Sequence, residues 1–308
     1  LLDTDPVRQP MVYISTPADY VLPEKNGIAD GFYRYQDAGK TENQCDFILQ
    51  KREKKTDEFV FIPISDPQVK NEKQLERFRS ETIPDLVYTV DSLNVPETIG
   101  MQLGDLVWDA MNLYTPYRTT ISNLGLTMFQ VMGNHDFNLQ YADMERTAEP
   151  AKGYGEKNYY EMFGPTDYSF NVGKVHVIAM KDIDYEGGKK YTERFTEEQL
   201  EWLKKDLSYV PEGTTVFLNV HAPVANTTVE GGDNVRNANA LFRILRPYKA
   251  HIFSGHTHFY ENTLPAAGIY EHNIGAACGA WWAGDVNRCG APNGYLVVTV
   301  KGDDVKWR

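Results

Sequence analysis

Short apolar runs that empty abruptly into polar residues set the rhythm of this chain. Phe59–Ile64 runs into Ser65-Asp66-Pro67-Gln68, and Ile99–Leu103 into Gly104-Asp105-Leu106-Val107-Trp108-Asp109. Phe129–Met132 opens into Gly133-Asn134-His135-Asp136, Thr215–Val220 into His221-Ala222-Pro223, and Ile252–Phe253 into Ser254-Gly255-His256-Thr257-His258. Runs of this length bounded by turn residues suit strands of a covered sheet. Segments of helical period lie between them. Glu72–Leu93 carries Leu75, Phe78, Ile83, Leu86 and Val90 at helical spacing, with an interruption expected at Pro84. A further helix is expected over Tyr114–Leu124. Thr196-Glu197-Glu198-Gln199 has the form of a capping box ahead of an apolar stripe at Leu200, Leu203 and Leu207. Asn234–Leu245 is also of helical period, and Val175–Met180, Ile269–Ile274 and Gly294–Val300 read as additional strands.

Residues 1–57 have a different texture. Met11–Ser15 and Asp46–Gln50 predict short strands separated by turn-rich polar sequence, and the charged run Lys51–Lys55 reads as a solvated link. The expected division is a small β-rich segment over 1–57, whole or part of a domain, and an α/β core over 58–308.

Composition narrows the function classes. With 308 residues and 42% apolar side chains the chain can bury a sizeable core, and 43 acidic against 31 basic residues give a net charge of −12. That balance argues against nonspecific binding to nucleic acid or to an anionic membrane surface. No apolar run reaches the length of a membrane span. Leu1–Pro6 lacks the basic and apolar regions of a signal peptide, and no motif sets an oligomeric state. Cys45, Cys278 and Cys289 contain no C-x-x-C spacing; Cys278 and Cys289, which flank a Gly- and Trp-rich loop, could form a disulfide or remain two thiols.

Alternation of strands and helices collects strand ends on one sheet edge, where open α/β sheets bind ligands. Five loops would bring Asp66 and Gln68, Asp105, Asn134 and His135, His221, and His256 and His258 to that edge, and these loops hold four of the seven histidines. A mixture of Asp, Asn and His without Cys suits a divalent ion of intermediate hardness such as Mn, Fe or Zn. Read singly, Asp66 could be a turn residue before a proline and Gln68 a solvated loop residue. Asp109 and Asp136 read as supporting carboxylates, and His176, His251 and His272 as ordinary strand or loop histidines. Trp281 and Trp282, in a glycine-flanked loop, could wall a substrate pocket or pack the sheet edge.

In order, Asp-x-Gln, Gly-Asp-x-x-Asp, Gly-Asn-His-Asp, a later Val-His and Gly-His-Thr-His resemble the calcineurin-like metallophosphoesterases over about residues 58–308. The segment before them is similar to the β-domain of a bacterial, often exported, branch, and only that resemblance points to a periplasmic or cell-surface location. The resemblance implies a four-layer α/β/β/α core and two metal ions. Asp66, Gln68, Asp105 and His258 would hold the first ion. Asp105, Asn134, His221 and His256 would hold the second, with Asp105 bridging. It further implies hydrolysis of a phosphate mono- or diester by metal-bound hydroxide, with His135 protonating the departing oxygen. The substrate would be a small molecule or a lipid or sugar phosphate ester. Gln68 departs from the usual His, and an amide oxygen is a weaker, harder ligand than imidazole. The alternative is a binding module that keeps the fold without hydrolysis.

Overall fold

The computed structural model describes residues 10–54, 56–93, 95–138, 151–187, 190–227 and 233–308, so Leu1–Pro6 lie outside the described residues. Strands β1 (Met11–Tyr13), β2 (Glu24–Lys25), β3 (Ile28–Ala29) and β4 (Tyr33–Tyr35) precede β5 (Glu58–Ile64). Helices α1 (Glu72–Arg77) and α2 (Ile83–Leu93), β6 (Thr98–Leu103), α3 (Tyr114–Thr120), β7 (Thr127–Val131) and α4 (Ala151–Phe163) follow. Then come β8 (Tyr168–Val172), β9 (Val175–Ala179), β10 (Ile183–Gly187), β11 (Lys190–Glu193), α5 (Glu197–Leu207), β12 (Thr215–Asn219) and α6 (Ala238–Leu245). The last strands are β13 (Lys249–Ser254), β14 (Glu261–Ala266), β15 (Ile269–Asn273), β16 (Val298–Lys301) and β17 (Asp304–Trp307).

Two sheets form the centre. One has the order β17-β16-β5-β6-β7-β3-β2, the other β14-β15-β13-β12-β9-β8. The β5-β6-β7 pairings are parallel, as are β9-β12-β13-β15, so the loops leaving each set emerge at one edge. Side chains alternate across each strand. Phe59 and Phe61 of β5, Met101 of β6 and Phe129 of β7 face Phe170, Val177, Phe217 and Phe253 of the second sheet in one buried cluster. Phe61 sits 5.3 Å from both Phe217 and Phe253, and Phe129 stacks on Phe170 at 4.1 Å. The opposite faces, with Val60, Ile62, Val216 and Leu218, pack in a cluster with the helix residues Leu75, Phe78, Leu86, Leu203, Leu207, Leu241 and Leu245. The result is the expected α/β/β/α sandwich, with a small β-rich segment at the N-terminal end.

Local chemistry accounts for the helix details. Before Pro84 the helix widens into one π-helical turn over Phe78–Thr82, and the Ile83 N–H donates to the Phe78 carbonyl. Proline has no N–H for the preceding turn and its ring crowds the carbonyl four residues back, so the strain is absorbed there without breaking the helix. The capping box at α5 forms in full: Gln199 N donates to Thr196 Oγ1 at 3.2 Å and Thr196 N to Gln199 Oε1 at 2.9 Å.

The N-terminal segment is woven into the core. Ile28 pairs with Met128 of β7, Asn171 N donates to the Thr16 carbonyl at 2.9 Å, and Phe32 packs on Tyr168 and Phe129. Arg52, read from the sequence as part of a solvated link, forms a 2.7 Å ion pair with Glu97 in which both side chains are largely covered. Asp46–Gln50 alternates in burial as expected but is not a strand, because only the Tyr20–Lys51 bridge beside it is paired. All three cysteines are free thiols, with Cys278 buried and Cys289 exposed, so of the two readings for that pair the unpaired one holds.

His251 and His272 form a buried pair on β13 and β15. The His272 Nδ1–H donates to Asn262 Oδ1 at 2.6 Å, which leaves Nε2 to accept from His251 Nδ1 at 2.9 Å. Trp307 of β17 packs against both rings. Burial pushes His251 down to about 4, and burial followed by the charge of His251 pushes His272 down to about 3. Below the ordinary histidine value near 6.5 the unfolded chain takes up protons that the folded chain refuses. The stability these groups contribute is therefore complete above that pH and is lost as pH falls towards 4 and 3. Denaturant midpoints of the wild type and His251→Phe between pH 7.5 and 4 (roughly the range of the histidine titration) should converge as pH falls. Parallel curves would remove this linkage.

Candidate metal centre

Each expected ligand leaves a strand at the shared edge. Asp66 and Gln68 follow β5, Asp105 follows β6, Asn134 and His135 follow β7, His221 follows β12, and His256 and His258 follow β13. Two observations explain the glycines in these motifs. A Cβ on Gly133 would lie 2.3 Å from the Asp105 nitrogen, and one on Gly255 would lie 1.7 Å from Ser65 Oγ and 2.5 Å from Asp66 Oδ2. Real side chains do not approach so closely, so these positions stay bare to let the loops close on one another. Asp66, Gln68, Asp105, His256 and His258 all hold left-handed backbone, with φ of 48°, 44°, 50°, 69° and 58°. Non-glycine residues rarely adopt this region, at a cost of about 1–3 kcal/mol each, and it is concentrated at functional sites.

Lone pairs converge in this space. Burial opposes a charge on the His221 ring, yet Asp105, Asp66 and Asp182 raise its pKa, and its Nδ1–H donates to the Leu103 carbonyl at 2.7 Å, which turns Nε2 into the cluster. That nitrogen lies 2.9 Å from Asn134 Oδ1, 3.1 Å from His256 Nδ1 and 3.4 Å from Asp105 Oδ1. Burial, then the neighbouring His221, pushes His256 down to about 4 and keeps its nitrogen available as a donor of electrons. On the other side the His258 Nδ1–H donates to the Gly279 carbonyl at 2.9 Å, turning Nε2 to Asp66 Oδ1 at 3.5 Å. Asp66 Oδ1 is buried and has no hydrogen-bond partner, while its Oδ2 accepts from the Ser65 hydroxyl and from His256 N. Without a cation the carboxylate must draw a proton onto the imidazole. Burial opposes this, yet Asp66 raises His258 to about 11, and Asp66 itself is lowered against its own desolvation.

Asp105 stands between the two groups. Its Oδ2 accepts from Gln68 Nε2 at 2.8 Å, and its Oδ1 faces His221 and accepts from His135 N at 2.8 Å. Gln68 thus turns its amide nitrogen toward Asp105, with Oε1 3.8 Å from Cys278 Sγ; a half-turn of the amide exchanges the two. Ligand atoms of Asp105, His221 and His256 lie within 4.8 Å of one another, a spacing that one ion can occupy. Two surface hollows of about 610 and 570 Å³ lie elsewhere and are lined by none of these residues.

A family model described as calcineurin-like phosphoesterase matches residues 59–260, and one for the C-terminal part of that family matches 271–308. The chain belongs to the calcineurin-like phosphoesterase family. This family member is 26% identical over 176 residues to purple acid phosphatase 15 of Arabidopsis thaliana, a match covering 56% of this chain. Purple acid phosphatase 1 of Ipomoea batatas is 23% identical over 172 residues, covering 54% of the chain. The matched stretches span only 31% and 33% of those relatives. Among solved structures, a dimetal phosphatase from Danio rerio superposes with a TM-score of 0.56 at 16% identity, over 81% of this chain and 95% of its own. GAP50, the anchor in the inner membrane complex of Plasmodium, gives 0.53 at 14% identity, over 82% and 84%.

Several residues at this family site carried weaker sequence signals. Asp182 follows β9 at the same edge and is fully buried; it accepts from His221 N at 3.1 Å and Ala222 N at 2.9 Å, and burial raises it to about 7. Its signal was an apolar run ending in a carboxylate, like the others but without a histidine. Asp136 accepts from the backbone nitrogens of Gly133, Leu106 and Val107 and so ties the loop after β7 to the loop after β6. Asp109 Oδ1 lies 3.0 Å from His135 Nδ1. Trp281 packs 5.0 Å from the His258 ring. Trp282, read with Trp281 as a pocket wall or as packing, is buried against the Asp66–Gln68 loop: its Nε1 donates to the Pro67 carbonyl at 2.9 Å, and Phe78 and Arg77 pack on its ring. The N–H found a backbone partner, so this tryptophan takes the packing role.

Proposed function

We propose that this chain is a two-metal phosphoesterase acting on a small phosphate mono- or diester, including the esters of lipids or sugars. The observation that carries this reading is the convergence of ligand atoms of His221, His256, Asn134 and Asp105 on one buried point, with the orphaned Asp66 oxygen beside it. Only a proton or a cation satisfies such a set. Asp66, Gln68, Asp105 and His258 would hold one ion and Asp105, Asn134, His221 and His256 the other, each Mn, Fe or Zn by donor type. Bound divalent ions supply Lewis-acid stabilisation of phosphate charge and lower the pKa of water to roughly 7.

The protein's own part is orientation and proton handling. Backbone carbonyls at Leu103 and Gly279 lock the tautomers of His221 and His258. His135 offers its Nε2, because Nδ1 is engaged by Asp109. Burial works against its protonation, but the charge of Asp105 and the contact with Asp109 hold it up to about 9. The contact with Asp109 orients the ring, so that Nε2 would carry the proton for the departing oxygen. GAP50 shows that a protein of this fold can be an anchor, so the donor set rather than the fold favours hydrolysis.

Turnover of paired mono- and diesters by metal-loaded protein tests the reading, and no turnover of either would overturn it. General acid help typically contributes about 10²–10⁴-fold and is needed most by a basic leaving group. His135→Ala should therefore retain its ions, slow p-nitrophenyl esters little and slow alkyl esters far more. Equal slowing of both would assign His135 to positioning instead.

A further inference from the structure

Trp108 and Trp281 are both half-buried and touch each other, with centroids 6.4 Å apart. Trp108 lies 4.9 Å from the His135 ring and Trp281 5.0 Å from the His258 ring, so the indoles form a wall from one side of the metal centre to the other. Trp281 is held in left-handed backbone, at φ 53°, an uncommon conformation for so bulky a residue. Each indole carries a cation. Lys70 Nζ lies 5.2 Å from the Trp108 centroid, and Arg288 Cζ 4.5 Å from that of Trp281.

Among the described residues neither cation has an acidic partner, although the chain holds 43 acids against 31 bases. Two of the other cations over rings are paired, Arg77 over Trp282 with Glu81 and Asp285 and Lys181 over Phe137 with Glu156, whereas Arg34 over Phe47 and Lys205 over Tyr209 lie away from the metal centre and have no acidic partner among the described residues. Asp109, next to Trp108 in the chain, is engaged by His135. A stacked guanidinium keeps its N–H edge free to fork onto a carboxylate or phosphate, and an ammonium adds a point charge.

We infer that Lys70 and Arg288, mounted on Trp108 and Trp281, form a subsite for a second anionic group, so that the substrates are phosphate esters whose alcohol carries a further negative charge. The inference rests on the phosphoesterase reading for the placement of the first phosphate. Para-carboxyphenyl phosphate and its neutral carboxamide analogue, as monoesters and as methyl diesters, differ in that charge and slightly in leaving-group basicity, so each ratio is taken relative to that of uncatalysed hydrolysis. The wild type should prefer the carboxylate by about tenfold in kcat/KM, the scale of one charge-assisted hydrogen bond. Lys70→Met/Arg288→Met should bring the ratio to near one. Lys25→Met, which removes one positive charge on exposed β2, should keep the wild-type ratio. A wild-type ratio near one, a ratio that survives the double substitution, or one lost equally in Lys25→Met would overturn the subsite. If no ester turns over, the hydrolytic reading falls alone. The same pair is then titrated against the fluorescence of Trp108 and Trp281, with the ratio of Kd values judged by the same criteria.

Discussion

Asp105→Asn is expected to leave a folded protein that has lost its two-ion stoichiometry and, with it, on the order of 10³-fold or more in hydrolysis. The two oxygens of this carboxylate serve different neighbours, Oδ2 facing Gln68 and Oδ1 facing His221. Asn keeps the shape and one acceptor, so the contact with His135 N can survive. The substitution removes the negative charge that two cations would share. Elemental analysis beside circular dichroism separates the possibilities. Two ions per chain in a folded variant would exclude Asp105 from the bridging position, and unfolding would show that the carboxylate is needed for the loops themselves.

Gly133→Ala should do comparable damage through sterics alone. The glycine has φ −101°, which alanine adopts readily, so backbone conformation is no obstacle. Its added methyl would meet Asp105 N at 2.3 Å and Asp105 Oδ1 at 2.4 Å, and the first of these is main chain that cannot rotate away. Overpacking of this kind costs about 1–3 kcal/mol and sometimes more. We expect a lower melting temperature in the metal-free protein, together with weakened metal binding, because the loop carrying Asp105 has to move. A variant with wild-type stability and stoichiometry would mean that the loops after β6 and β7 are not in contact as described.

Strand ends were legible because a buried strand must be apolar until it reaches solvent, and the switch at Ile64, Leu103, Met132, Val220 and Phe253 is sharp. The same rule missed Asp182, where the switch is to Lys and a single Asp with no second polar ligand beside it. The hairpin of β10 and β11 was illegible because Asp184, Glu186, Lys190 and Glu193 give it the composition of a loop, and β14 because its side chains are only partly covered. Lys51–Lys55 reads as a solvated link, yet pairing of Arg52 with Glu97 depends on a partner 45 residues away. Trp281 and Trp282 are adjacent and chemically alike, and only the position of the Pro67 carbonyl separates their roles.

The junction between the two sheets has a consequence for biosynthesis. On the proposed assignment, Asp66, Gln68, Asp105 and Asn134 leave the first sheet, while His221, His256 and His258 leave the second. The first group is complete by residue 134, and the second begins only at residue 221. A chain emerging from the ribosome therefore offers carboxylates and amides for a long interval before it offers a single imidazole from the second set. Such oxygen-rich fragments hold transition metals weakly. On that assignment selective loading would wait until His258 has emerged and β13 has docked beside β12, which would make metal uptake a late event that registers the docking of the second sheet on the first.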